Sequence, residues 1–503
     1  MKRVVAIAVL LTIAALAFRL FLALRLPNDD DDDGRFYSQL ARNLLDHRGY
    51  SGEEEEPYVP TYVRVPGYPL FLAGVYSVFG VDNNRAVRVI QAMLDTVCCW
   101  LIALLAYVWS PAEWHVWRRR RALLIALALA AACPFTTVYV TTILTETWAI
   151  LLTVAFVLAA TLALKNEGRG KALAWWLAAG LLGGIVTMFR PDCALFAGGV
   201  GLMLIIVGFF RASRERRQRV VLLARTLVNC AAIAIAFAAI LAPWTIRNAR
   251  VFGVFQPVAP QYATDPGKVG PVGYIAWLRT WVDDERYVGI IEDSLDLYPI
   301  HAEQLPDYAF DTAEERDHVQ ALFDRYNNPK RPYVEPNAEE DSENNTAPTV
   351  KMTPEIDAEF GEIARERIAR HPLRQYVLLP LKRAASMWFD THSQYYQFQG
   401  ELFPLYDLDT DAGQQYWLSL FATLTWFYTI VGLAGVWLLV RANSARRWAL
   451  LLALLILPRL AFLSFQEHPE ARYTVEFFAL VTAAAAIALE RVTNRTGKAV
   501  INS

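Results

Sequence analysis

Long apolar blocks, nearly free of charge and cut at intervals by short charged connections, constrain this chain more than any other feature. A bilayer core takes about 20 apolar residues per helix. Blocks of that length lie at about Val4–Leu24, Val87–Val108, Leu123–Thr141, Ile143–Leu164, Leu173–Met188, Cys193–Phe210, Val221–Leu241, Trp417–Val440, Trp448–Phe465 and Val475–Leu489. This predicts a mainly α, polytopic membrane protein with about ten transmembrane helices. Pro134 and Glu146 are the reason for dividing the stretch Leu123–Leu164 in two. Apolar residues make up 55% of the 503, more than a soluble domain carries in such blocks. The first block follows Met-Lys-Arg and is broken by Arg19. Its length and the lack of a small-residue cleavage site predict a retained signal anchor, with Arg19 snorkelling at its outer end.

Charge placement tests the division. With the N-terminus in the cytoplasm, alternate connections should be basic. Lys2-Arg3, Arg118 to Arg121, Lys165 to Lys171, Arg211 to Arg219, Arg441 to Arg447 and Arg491 to Lys498 all are, whereas the other side holds Asp29 to Asp33 and Glu53 to Glu56. Both termini are therefore expected inside. Three regions follow: a membrane module over 1–243, a large outer segment over 244–416, and closing membrane helices over 417–503. Within the outer segment, Pro354 to Arg370 reads as an amphipathic helix with Ile356, Phe360, Ile363 and Ile368 broadly to one side, and Pro329 to Pro348 as a loop. No internal repeat is visible. Cys98, Cys99, Cys133, Cys193 and Cys230 have no metal-ligand spacing and are expected as buried small hydrophobes.

Several groups capable of chemistry gather, by this topology, at the outer boundary. The first outer loop carries five aspartates and then Gly34-Arg35-Phe36-Tyr37. A carboxylate at a membrane surface can take a proton from an acceptor hydroxyl. Arg64-Val65-Pro66-Gly67-Tyr68-Pro69 fixes a bend in an apolar re-entrant or interfacial segment. Glu146 stands at a helix start between apolar stretches, where an acid needs a polar cavity or a partner. Arg190 ends another helix, Pro243-Trp244-Thr245-Ile246-Arg247-Asn248 opens the large outer loop, and Glu467-His468-Pro469-Glu470-Ala471-Arg472-Tyr473 separates the last two spans. Outer arginines run against the positive-inside bias, and a planar guanidinium suits phosphate oxygens. Asp95 and Arg459, both inside spans, are expected to pair with one another.

These motifs, taken in order, resemble the GT-C superfamily of membrane glycosyltransferases, in particular the family 39-like branch related to protein O-mannosyltransferases and the lipid A aminoarabinose transferase. The likeness rests on Asp33 four residues before Tyr37 and on Ala41, Asn43, Leu44, Leu45, Gly49 and Tyr50. It rests equally on Arg64 to Leu72, Thr145-Glu146, Pro243 to Asn248 and Glu470 to Tyr473. It covers nearly the whole chain, although the segment of about Gly273 to Lys351 matches no family pattern and five aspartates stand where relatives show one or two.

The resemblance implies transfer of a sugar from a polyprenyl-phosphate donor to an acceptor hydroxyl, with inversion, on the periplasmic face of a bacterial inner membrane. Asp33, with Asp32 as the alternative, would be the general base, and Glu146 would orient the acceptor or share a divalent metal with Asp33. Arg64, Arg190, Arg247 and Arg472 would hold the donor phosphate. His468, Tyr68 and Tyr37 are further candidates, and Trp244, Trp277, Trp281 and Trp388 could stack on sugar rings. Expected partners are the lipid-linked donor, a glycan, lipid or protein acceptor and the bilayer, and no nucleic acid. The rival reading is a transporter or flippase, which would need polar groups near the bilayer midplane; Asp95 and Arg459 are the residues that favour it.

Overall fold

The computed structural model describes all residues except 1, 29–31, 168–169, 261, 263, 265–269, 292–294, 296–297, 329–332, 335–348, 351, 399–411 and 502–503; of residues 216, 333–334, 349–350, 412–414 and 495–501 it describes the backbone only. Asp29 to Asp31 and most of the Pro329 to Pro348 loop thus lie outside the described residues. The chain divides into two compact units, residues 1–259, 391–459 and 474–503, and residues 260–390 and 460–473.

The first unit is mainly helical. It opens with α1 (Lys2–Arg25), α2 (Asp32–Leu45), α3 (Gly67–Phe79), α4 (Asn84–Trp109), α5 (Val116–Ala132), the single turn α6 (Pro134–Thr137), α7 (Glu146–Lys165), α8 (Lys171–Phe189), α9 (Ala194–Arg214) and α10 (Arg219–Phe252). The second unit contributes α11 (Val272–Leu278), α12 (Val288–Ile291), α13 (Ala313–Asn327), α14 (Pro354–Arg370) and α15 (Leu379–Phe389), after which come α16 (Ala412–Arg441), α17 (Arg446–Ser464) and α18 (Val475–Ile501). Among the described residues, eight helices are long and apolar enough to cross a membrane, and α5 with the bent segment after it makes a ninth. The tenth expected span is α18, a helix whose residues from Val475 to Ala488 are almost all buried against its neighbours.

The long helices of this unit alternate in direction, and contacts tie the basic connections together at one end. Arg118 pairs with Glu490 at 2.7 Å. Ser444 donates to Glu113 at 2.7 Å and Arg211 pairs with Glu167. At the other end, the Asn28 N–H donates to the Thr141 carbonyl at 3.0 Å, and α2 packs on α3. In lipid, helices associate through close fit rather than hydrophobic drive. Hence α16 meets α18 where Gly435 offers no side chain: a Cβ there would lie 2.0 Å from the Ala484 carbonyl oxygen.

The break after α5 explains a buried charge. Pro134 has no N–H to give the Ala130 carbonyl, and the bend of 55° leaves the last carbonyls of α5 without helical partners. Side chains supply the donors. Tyr428 donates to the Leu129 carbonyl at 2.7 Å, while Arg19 donates to the Ala130 carbonyl at 3.1 Å and the Ala131 carbonyl at 3.2 Å. The same guanidinium pairs with Asp95 at 2.6 Å, with both side chains buried. This corrects two expectations. Arg19 does not snorkel, and Asp95 pairs with Arg19 rather than Arg459. A third correction concerns Pro243, which does not end its helix: α10 runs on to Phe252 and stops at Gly253, whose left-handed φ of 71° lets its N–H cap the Ala249 carbonyl.

The second unit packs an aromatic core. Tyr274, Trp277 and Trp281 of α11 and its following turn meet Phe323 of α13 and Phe360 of α14. The predicted amphipathic helix appears over Pro354–Arg370, with Thr353 as N-cap and Pro354 in its first turn, and buries Ile356, Phe360 and Ile363. Trp277 and Trp281 are wholly buried in this core, which removes them from the residues available to stack on a sugar. Cys98, Cys99, Cys133 and Cys193 are buried, as expected, and Cys230 is partly so.

Candidate functional site

The non-basic end of the first unit assembles most of the candidates. Asp32 and Asp33 stand in the first turn of α2, where the helix dipole favours negative charge. Asp32 is exposed and lies 3.5 Å from Arg35. Asp33 turns the other way and accepts from Arg64 Nη2 at 2.8 Å. This pair keeps 26% and 32% of its side-chain surface open, so a ligand can reach it. One helical turn on, Tyr37 packs edge-to-face on Tyr68, with centroids 5.3 Å apart. Tyr68 is buried and donates to Gln91 at 2.9 Å, which in turn donates to the Thr142 carbonyl at 2.8 Å. Asn43 holds the loop that follows by donating to the carbonyls of Ser51 at 2.8 Å and Glu53 at 2.7 Å. The sequence motif around Asp33 is thus a small built structure whose core residues fix where α2 presents its acid.

Glu146 is the first residue of α7 and is buried. It accepts from Arg190 Nη1 at 3.0 Å. Arg190 lies 3.3 Å from Asp192 and 3.5 Å from Glu476. Arg459 joins the set, 2.5 Å from Asp192 and 2.9 Å from Glu476. Five charged side chains, from α7, α17, α18 and the connection between α8 and α9, therefore form one buried network, which satisfies charges too costly to bury alone. Sequence reasoning missed Glu476 and Asp192 as members. The available signal for Glu476 was the one that exposed Glu146, an acid at the start of an apolar block. Asp95 and Arg459, the two residues that favoured a transporter, thus each have other buried partners.

The segments that carry Arg64 and Arg190 meet where α3 touches α8. Gly67 at the start of α3 touches α8 so closely that a Cβ would lie 2.3 Å from the Met188 carbonyl oxygen. Tyr68 also packs against Phe189, with centroids 6.5 Å apart. Arg64, three residues before Gly67, and Arg190, two after Met188, are thereby brought to the same neighbourhood. Arg247 borders it. Its guanidinium donates to the Thr61 carbonyl at 2.7 Å and lies 5.1 Å from the Trp244 ring and 5.6 Å from the Tyr50 ring. Tyr50 donates to the Arg64 carbonyl at 3.0 Å, which links the seat of Arg247 to the backbone that carries Arg64. Trp244 is buried in this packing.

Arg472 and His468 belong to the second unit. There Glu470 pairs with Arg472 and lies 3.2 Å from His468. Burial, with the added repulsion of Glu470 and Asp390, pushes the nearby Glu285 carboxyl up to about 8 against the pull of Arg472 and His468. Among the described residues, no group of three or more His, Cys, Asp or Glu is placed to hold a metal ion. Asp33 and Glu146 each face an arginine instead, so no step is derived through a metal.

No protein-family model matches the chain, and no curated protein matches its sequence. Solved structures do match it. The archaeal oligosaccharyltransferase AglB from Archaeoglobus fulgidus, in complex with an inhibitory peptide and a dolichol-phosphate, aligns with a TM-score of 0.51 and 13% identity, over 98% of this chain and 51% of its own. An Archaeoglobus fulgidus oligosaccharyltransferase tethered with an acceptor peptide aligns with a TM-score of 0.47 and 13% identity, over 97% of this chain and 50% of its own. ArnT from Cupriavidus metallidurans bound to undecaprenyl phosphate aligns with a TM-score of 0.37 and 13% identity, over 96% and 78%. The chain spans about half the length of the oligosaccharyltransferase it matches. At this identity the likeness is one of fold alone, the polytopic helical fold of the oligosaccharyltransferase AglB.

Proposed function

We propose, from a GT-C-type fold with an ion-paired aspartate at one end of its membrane helices, that the protein is a membrane glycosyltransferase. It would move a sugar from a polyprenyl-phosphate donor to an acceptor hydroxyl. The observation that supports this reading is the pair of carboxylate–arginine contacts, Asp33 with Arg64 and Glu146 with Arg190, carried by segments that meet at the Gly67–Met188 contact. The fold neighbours AglB and ArnT, solved with a dolichol-phosphate and with undecaprenyl phosphate, agree with the donor class. The site lies at the end opposite the basic connections, and the positive-inside rule makes that end the periplasmic face of a bacterial inner membrane, with both termini cytoplasmic.

Each proposed step has a residue to perform it. Asp33, oriented by Arg64, takes the proton from the acceptor hydroxyl. The acceptor oxygen then bonds to the anomeric carbon from the side opposite the phosphate, so the configuration inverts. The carbon–oxygen bond to the phosphate breaks, and the polyprenyl phosphate leaves with the electron pair. Arg64 and Arg190 stabilise the charge that develops there. Arg247 serves by holding the 50–64 loop in place. Glu146 fixes Arg190, and Tyr37 and Tyr68 form the wall between α2 and α3.

The test compares the envelope glycans and glycolipids of cells carrying the native protein, the Asp33→Asn variant or no protein, by mass spectrometry. A sugar unit should be absent without the protein and reduced about 10²–10⁴-fold in rate for Asp33→Asn, the usual worth of a general base, while Asp32→Asn keeps near-native transfer. Full transfer by a normally inserted Asp33→Asn protein would remove Asp33 as the base. Unchanged glycans in cells lacking the protein would remove the transferase reading.

A further inference from the structure

The basic end of the first unit holds a cavity of about 670 Å³, within the size range of small-ligand sites. It is walled by the start of α8, the end of α9 and the start of α10. Leu173, Leu204 and Val221 line its apolar part, and Arg211, Arg225 and Glu167 line its polar part. Gly208 and Thr226 close it where α9 meets α10, since a Cβ on Gly208 would lie 2.2 Å from the threonine hydroxyl oxygen. Large apolar side chains beside it face outward: Phe210 is 69% exposed and Val220 80% exposed. In a chain with these spans, such faces are turned to lipid. The stretch Arg211 to Arg219, from the last turn of α9 to the first residue of α10, carries five arginines and one glutamate in nine residues. An apolar slot open to lipid and rimmed by guanidinium groups is matched in charge and polarity to a lipid with a phosphate headgroup.

We propose that this slot is a binding site for an anionic glycerophospholipid of the leaflet at the basic end. An acyl chain lies along Leu173, Leu204 and Val221, and the phosphodiester is held by Arg211 and Arg225. Glu167 is the internal competitor. It pairs with Arg211 in this structure, so the lipid phosphate must take over that guanidinium, and a carboxylate in the rim repels the headgroup. The site is separate from the proposed transfer centre, which lies at the other end of the same helices.

The experiment titrates the full-length protein, in a neutral detergent, with dioleoyl-phosphatidylglycerol, with dioleoyl-phosphatidylcholine and with inorganic phosphate, and counts bound lipid by native mass spectrometry. Phosphatidylglycerol should bind in preference to phosphatidylcholine, and inorganic phosphate should not displace it. Juxtamembrane basic residues are worth about 1 kcal/mol each toward anionic lipid, so Arg211→Gln and Arg225→Gln should each weaken phosphatidylglycerol binding about fivefold. Glu167→Gln should strengthen it, a change of opposite sign that general loss of fold cannot produce. Ala224→Trp, at an exposed position lining the slot, should block binding with every charge in place and the melting temperature unchanged. Equal binding of the two lipids, or Ala224→Trp binding like the native protein, overturns the proposal, as does Glu167→Gln weakening the interaction. None of these readouts involves sugar transfer, so they stand or fall apart from the proposed activity.

Discussion

Replacing Arg19 and Asp95 together by leucine distinguishes two accounts of the buried pair. Removing one partner of a buried ion pair costs about 3–5 kcal/mol, because the other charge stays buried, whereas replacing both by apolar residues is often neutral or stabilising. On the simple account, Asp95→Asn is severe and the double variant returns to native stability. The break in α5 changes that expectation. Arg19 is also the donor to the Ala130 and Ala131 carbonyls at 3.1 and 3.2 Å, where Pro134 and the 55° bend deny them helical partners. Leucine at 19 leaves two buried acceptors unmet at about 1–3 kcal/mol each. The double variant should therefore remain about 2–6 kcal/mol less stable than the native protein, overlapping the Asp95→Asn variant instead of recovering. The assay is equilibrium unfolding by sodium dodecyl sulfate in mixed micelles, followed by loss of helical ellipticity. A double variant as stable as the native chain would refute the reasoning and reduce Arg19 to a counter-ion.

Two other outcomes can be measured. Glu285 is held up to about 8 against an ordinary 4.5, so between those values the folded state keeps a proton that the unfolded state releases. Its contribution to stability is complete below 4.5 and is lost as pH rises through about 8; Glu285→Gln should flatten that part of the stability–pH curve, and an unchanged curve would remove the assignment. At the α16–α18 contact, Gly432→Ala would press on the Val481 side chain, 2.1 Å from the built Cβ, and Gly435→Ala on the Ala484 carbonyl. Both should lower the melting temperature, and adding Val481→Ala should restore the first but not the second.

Local chemistry wrote some of this fold plainly. Pro354 announced the start of α14, and its apolar spacing gave the buried face. Pro134 marked the break in the third span, and Glu146 the start of α7. Failures came where the deciding partner is remote. A hydropathy profile sees Arg19 as a charge near the end of a helix. It cannot see Asp95, 76 residues on, nor the carbonyls freed beyond Ala130. It equally cannot tell that Arg459 serves Asp192 and Glu476. Pro243 misled because a proline removes one hydrogen bond, which a helix of 34 residues survives. Trp277 and Trp281 stood among the candidates for stacking on sugar rings, yet Tyr274, Trp277, Leu278 and Trp281 recur at helical spacing, which is the mark of a packed face. At the candidate site, the motif order pointed to Asp33, Arg64 and Glu146, and the topology to Arg190. The five-member charge network required the tertiary fold.

The glycines at Gly432 and Gly435 carry different histories within one helix. Where the neighbour is a side chain, as Val481 is to Gly432, a lineage can drift, enlarging one position while trimming the other. Where the neighbour is the Ala484 carbonyl oxygen, no exchange of side chains in the partner helix makes room. Among distant kin, position 432 should therefore vary in concert with position 481, while position 435 stays frozen however far the rest of the sequence wanders.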